Sequence, residues 1–110
     1  MKELSFRTAS NHGGTFSIPP SDHVLTLVLA TGGSAETITV PAGAKHAIFS
    51  CPGGKDFYAK SNGAATVPTA DVTDGSGSFP NPALWAVDAG DTISVVGPEN
   101  NTIVAVAFYS

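Results

Sequence analysis

"HVLTLVLA", residues 23–30, decides the fold. Leu25, Leu27 and Leu29 alternate with Val24, Thr26 and Val28, a period of two that lays the leucines along one face of a strand. A helix would instead bring residues three and four apart together, and no segment between breakers sustains that spacing. The same period recurs along the chain. In "ETITV", residues 36–40, Ile38 and Val40 oppose Thr37 and Thr39. "KHAIFSC" (45–51), "DFYAK" (56–60), "ALWAV" (83–87) and "DTISVV" (91–96) follow as short strands, and "NTIVAVAFYS" (101–110) closes the chain. Between them stand "TGGS", "PAGA", "CPGG", "SNG" and "GPENN", where Gly or Asn supplies the positive φ that turns require.

Seven or eight short strands separated in this way predict an all-β fold: a single-domain antiparallel β-sandwich with jelly-roll-like topology. The last strand carries a second implication. Val104, Val106 and Phe108 line one face, and Ile103, Ala105 and Ala107 make the other apolar too. Such a strand is central in a covered sheet or is buried by a partner. "NHGGTFSIPPSD", residues 11–22, breaks the pattern near Pro19-Pro20, which marks residues 1–20 as an N-terminal arm ahead of a 21–110 domain.

Composition narrows the function. The chain has 110 residues, 42% of them apolar and 13% charged, which suits one domain with one core and argues against disorder. The net charge is −4, and Lys2, Arg7, Lys45, Lys55 and Lys60 are scattered, so the basic patch of a nucleic-acid binder is missing. "MKELSFRTAS" has no apolar signal region, and "VLTLVLA" is too short to cross a bilayer. Cys51 is the single cysteine, which suits a reducing compartment. The expectation is a soluble protein made in a cytoplasm, with no membrane partner.

Four motifs invite a chemical reading. In "TADVTDGSGSFPNPALWAV", residues 69–87, Asp71 and Asp74 enter a Gly-rich loop. Placing Gly75 at the sixth position of a calcium-binding EF-hand loop puts Asp74 fifth but Val72 third, Ala70 first and Asn81 twelfth, so the ligands are missing. A phosphate loop also fails, since no Lys follows the glycines and no helix starts there. The aspartates read as turn formers and Pro80 and Pro82 as stiffeners of the exit. In "VPAGAKHAIFS", residues 40–50, Pro41, Gly43 and His46 fit the P-x-G-x-x-H half-motif of a cupin metal site. There is no H-x-H segment, Ser50 stands where that motif has Asn, and His12, His23 and His46 are far apart in sequence. A catalytic metal wants about three protein ligands, so no metal or cofactor is expected. "GSGS" lacks the spacing of a nucleophile elbow, and Cys51 reads as a small buried hydrophobe. The aromatic residues, Trp85 among them, can line a sugar site but pack more often in cores and interfaces.

"DFYAKSNGAATVPTADVTDGSGSFPNP" followed by "TISVVGPENNTIVAVAFYS" resembles small virion proteins encoded by tailed bacteriophages. The resemblance covers about the C-terminal half. It is carried by Asp56-Phe57-Tyr58, Thr66-Val67-Pro68, Asp74-Gly75-Ser76, Asn81-Pro82 and Phe108-Tyr109. It implies a non-enzymatic head-decoration or other head-associated protein, located in the virion after synthesis in the host cytoplasm. Its partners would be copies of itself, with a trimer favoured because capsid lattices offer threefold positions, and a major capsid or other virion protein. No catalytic residues come with it. The apolar supply points to Phe79, Pro80, Pro82, Leu84 and Trp85 as the candidate interface. Two alternatives stand beside this expectation: a glycan- or surface-binding module using exposed aromatics, and a cupin-like metal protein using His46.

Overall fold

The computed structural model describes residues 1–8 and 16–110. The described residues form ten strands and contain no helix. They are β1 (Arg7–Thr8), β2 (Phe16–Ser17), β3 (Val24–Leu29), β4 (Glu36–Thr39), β5 (His46–Ser50), β6 (Tyr58–Ser61), β7 (Phe79–Pro80), β8 (Leu84–Ala86), β9 (Thr92–Val96) and β10 (Thr102–Tyr109). Eight of them build two four-stranded antiparallel sheets, ordered β3-β10-β5-β8 and β4-β9-β6-β7. The chain is an all-β sandwich, as its period-two segments predict.

Pairing is nested along the chain. The outermost strands of the domain pair, β3 with β10, then β4 with β9, β5 with β8, and β6 with β7 innermost. The two strands of each pair lie far apart in sequence for all but the innermost. Every long strand anticipated from alternation is present; the two-residue strands β1, β2 and β7 are additions that such short segments could not announce.

Alternation becomes burial directly. In β3 the leucines face inward, ending with Leu29 at 1% exposure, while Val24 and Val28 stay open on the outer side. From the first sheet Phe49, Val104, Val106 and Phe108 meet Phe57, Ala59, Ile93 and Val95 of the opposing layer in one core cluster. Each fully buried large side chain there contributes roughly 1.5–3 kcal/mol relative to exposure. Among the described residues, two polar side chains, Thr102 and Ser94, are also buried and both are satisfied. The Thr102 hydroxyl donates to the Glu99 carbonyl at 3.0 Å, and Ser94 Oγ accepts the Ala65 N–H at 2.9 Å. The double apolarity of β10 has half its explanation here: it lies in the interior of its sheet, between β3 and β5.

Residues 1–4 run beside the end of β10. The Ser110 N–H donates to the Lys2 carbonyl at 2.8 Å and the Leu4 N–H to the Ser110 carbonyl at 3.2 Å. The Tyr109 hydroxyl donates to the Pro19 carbonyl at 2.8 Å. Both ends of the 1–20 segment are therefore tied to the C-terminus, while the β1–β2 hairpin between them joins neither four-stranded sheet. His12 lies outside the described residues.

Candidate functional site

The loop between β6 and β7 is shaped by its own polar side chains. Asp74 Oδ1 accepts the Ser76 N–H at 3.0 Å and the Ser76 hydroxyl at 2.6 Å, closing a tight turn around Gly75, whose φ is +89°. These two bonds, the hydroxyl's first, hold the Asp74 carboxyl below the usual carboxylate range. Lys60 donates from Nζ to the Ser76 carbonyl at 2.9 Å, and Ser78 Oγ accepts the Thr66 N–H at 3.0 Å. The loop is thereby fastened to the end of β6. Between loop and sheet lies a depression of about 360 Å³ lined by Tyr58, Thr66, Pro68, Val72, Ser78 and Pro80 among others. Asp71 and Asp74 border a second depression on the loop's other side, with no third acidic, His or Cys side chain converging on them among the described residues.

Asn81 fixes where this loop ends. Its φ is +45°, a left-handed conformation that Asn tolerates and most residues resist. Asn81 Oδ1 accepts the Phe57 N–H at 3.0 Å, its Nδ2 donates to Asp56 Oδ1 at 3.2 Å, and its own N–H donates to the Phe57 carbonyl at 2.8 Å. The "FPNP" turn is thus clamped to the entry of β6.

The five residues anticipated as an interface do not share one surface. Phe79, on β7, is 58% exposed, and Pro80 is exposed beside it. Pro82 is buried, so it contributes to the turn and not to free surface. Trp85 turns inward and packs edge-on against Phe49 at 4.9 Å between ring centroids, with Phe79 edge-on to it at 6.3 Å. Leu84, its chain neighbour, faces the opposite way and is 49% exposed on the outer side of β8. Phe79 and Trp85 therefore close one side of the sandwich between the two sheets, while Leu84 belongs to a different surface.

That other surface is the outer face of the β3-β10-β5-β8 sheet. Register sets Val24, Ala107, Ile48 and Leu84 side by side across all four strands, and Val28 beside Ile103. Val24 and Val28 are 50% and 56% exposed. The outward positions of these four strands carry no Asp, Glu, Lys or Arg. The sequence showed a second apolar face on the last strand alone and could not show which other strands' outward residues adjoin it. Only the strand order reveals a continuous patch.

His46 lies on this outer face too, since Ala47 and Phe49 are the buried positions of β5. Its side chain is turned away from the sandwich interior, and no three His, Cys, Asp or Glu side chains gather anywhere among the described residues. His23 packs edge-on against Phe108 at 5.9 Å, which gives it a place in the packing. Cys51 sits half-buried in the turn after β5. Burial pushes its thiol pKa up and the Asp56 charge adds to that, against the opposing influence of Lys55.

The fold and these surfaces define an antiparallel β-sandwich with an uncharged sheet face and a clamped, hydroxyl-rich loop. No family model, no curated protein and no solved structure matches the chain significantly.

Proposed function

We propose that this chain is a non-enzymatic structural subunit of a bacteriophage particle, one that decorates or stabilises the head through protein–protein contacts. The observation that carries the protein–protein part is the charge-free outer face, with the row Val24, Ala107, Ile48 and Leu84 spanning four strands. Isolated exposed hydrophobics are ordinary, but a contiguous apolar patch on a small domain more often marks a contact surface. The phage assignment comes from the sequence resemblance described above, and the nested strand pairing supports a jelly-roll reading, an architecture common among capsid proteins. A threefold assembly on a capsid protein is the arrangement that the resemblance implies.

Mass spectrometry of purified particles from the phage that encodes this chain tests the proposal. The expected result is a stoichiometric component, at a fixed copy number relative to the major capsid protein. Absence from washed particles would end it, and so would a gene placed far from any head gene in a genome without virion genes. The glycan reading moves to a new location. Trp85 is engaged with Phe49, so a sugar would instead meet Tyr58 and the Thr66 and Ser78 hydroxyls in the loop depression. A glycan array with Tyr58→Ala as control examines that alternative.

A further inference from the structure

A sandwich of two open sheets has four edge strands, and three of these are guarded. Strand β8 has three residues and follows Pro82; β7 has two, one of which is Pro80; β4 has four and carries the exposed Glu36. Short length, proline and charge are the devices that keep edges from pairing with other chains. Strand β3 has none of them. It runs for six residues, Val24–Leu29, without charge, proline or glycine, and its register with β10 is uninterrupted, so no bulge twists it away.

The open hydrogen-bonding groups of β3 can be assigned. The Phe108 N–H donates to the His23 carbonyl at 2.9 Å, in the same register that pairs Ala107 with Val24. Antiparallel ladders alternate, so Leu25, Leu27 and Leu29 bond to β10, while Val24, Thr26 and Val28 turn their N–H and C=O groups to the free edge. The β5 side obeys the same alternation: the Phe49 N–H donates to Ala83 and the Val87 N–H to Lys45, which leaves the intervening residues of β5 for β10. Among the described residues, no backbone bond reaches the free edge of β3. Leu25 and Leu27 point inward and yet remain only partly buried at this edge, where no described strand lies beside them.

We propose that β3 is a two-fold contact between copies of this chain, two β3 strands pairing antiparallel about an axis through Thr26. Thr26 is the one axis that pairs all three open residues with one another. Thr26 faces its own copy and Val24 faces Val28 of the partner subunit, each hydrogen-bonded pair exchanging two bonds. Inward positions also match, Leu25 beside Leu27 of the partner subunit, so each copy covers the flank the other leaves open. A chain of net charge −4 can approach itself here. Asp22, the charged residue that precedes this strand in sequence, is engaged by the N-terminal amine at 3.9 Å and the Lys2 N–H at 3.1 Å, and it would lie beside Ala30 of the partner subunit. A two-fold contact uses both edges and closes, which a head-to-tail contact of the same strand would not do. The two sheets join into one of eight strands, and the charge-free outer face doubles in extent.

The contact is modest. A six-residue edge is on the order of 20 Å long, and it buries well under the ~800 Å² per partner of a standard interface. The dimer should therefore be weak in dilute solution and populated at high local concentration. It does not rest on the virion reading, because it is measured on the purified chain alone. Sedimentation velocity from micromolar to millimolar protein should show a monomer–dimer equilibrium, and hydrogen exchange should slow at Val24, Thr26 and Val28 as concentration rises. The amides of Leu25, Leu27 and Leu29 should be protected throughout.

Thr26→Lys sets two like charges on the axis and Thr26→Pro removes an N–H that the single chain does not use. Each should raise the dissociation constant roughly tenfold or more. The dilute Thr26→Lys monomer should melt as wild type does, while Thr26→Pro, whose ring fixes φ, should keep the β spectrum at a lower melting temperature. Thr26→Val should keep the dimer. A chain that stays monomeric at millimolar concentration would overturn the proposal, as would a dimer or trimer indifferent to Thr26→Lys.

Discussion

Replacing Asn81 by alanine should cost about 2–5 kcal/mol of stability, although the residue lies at the surface. Two contributions add. The Phe57 N–H, which donates to Asn81 Oδ1 at 3.0 Å, loses its acceptor at the start of β6, and a partly buried donor left without one costs about 1–3 kcal/mol. Alanine must also hold the φ of +45°, and a Cβ residue in the left-handed region costs about 1–2 kcal/mol. The lost bond to Asp56 is exposed and adds little. Companion variants separate the two contributions. Asn81→Gly removes the acceptor but accepts the conformation, so it should cost less than alanine. Asn81→Asp keeps the acceptor and the conformational tolerance, and loses only the Nδ2 donor while placing a second carboxylate by Asp56. The assay is urea unfolding at pH 7, with the midpoint and slope both fitted so that a change in compactness is not taken for stability. An alanine variant within about 0.5 kcal/mol of wild type, the ordinary range for surface substitutions, would refute the clamp. So would glycine and alanine variants of equal cost, which would remove the conformational half of the argument.

Gly32→Ala should destabilise by about 1–3 kcal/mol, since a Cβ there would stand 2.5 Å from the Pro98 carbonyl oxygen, a backbone atom with little room to yield; thermal melts that coincide with wild type would contradict the close approach. Alkylation of Cys51 by iodoacetamide should rise with pH to a midpoint above the ~8.5 of a free cysteine, because burial disfavours the thiolate. The linked stability is present below the unfolded thiol's pKa and is lost as pH rises through the higher folded value, so a midpoint at or below that of free cysteine would reverse the sign. The Asp74 carboxyl, lowered by Ser76, contributes above the unfolded carboxylate pKa and loses its contribution as pH falls through the lower folded value. The Ser76 amide resonance should report that titration with a midpoint below the ~3.9 of an ordinary Asp, and Ser76→Ala should return it toward that value.

Which parts of this protein were legible in the chain follows from how far each physical cause reaches. Alternation is a local property: a strand whose two faces meet different surroundings must write that difference at every second residue. Leu25, Leu27 and Leu29 in β3, and Val104, Val106 and Phe108 in β10, therefore announced both the strands and their inward faces. The turn role of Asp74 was equally local, because its bonds reach only two residues ahead, to Ser76.

Non-local relations needed the tertiary structure. Trp85 and Leu84 are neighbours in sequence and were grouped as one surface, but successive side chains in a strand point to opposite sides, and the sheet order decides which side is covered. Pro82 read as a stiffener of the loop exit and a member of the candidate interface and is buried, where Asn81 ties the turn to the residue before β6 across a separation of 24 residues. The continuous face from Val24 to Leu84 is assembled from four strands whose order in the sheet is not their order in the chain. Local periodicity fixed what each strand can bury; chain entropy and register, settled only on folding, decided which strands stand side by side and which edge was left open.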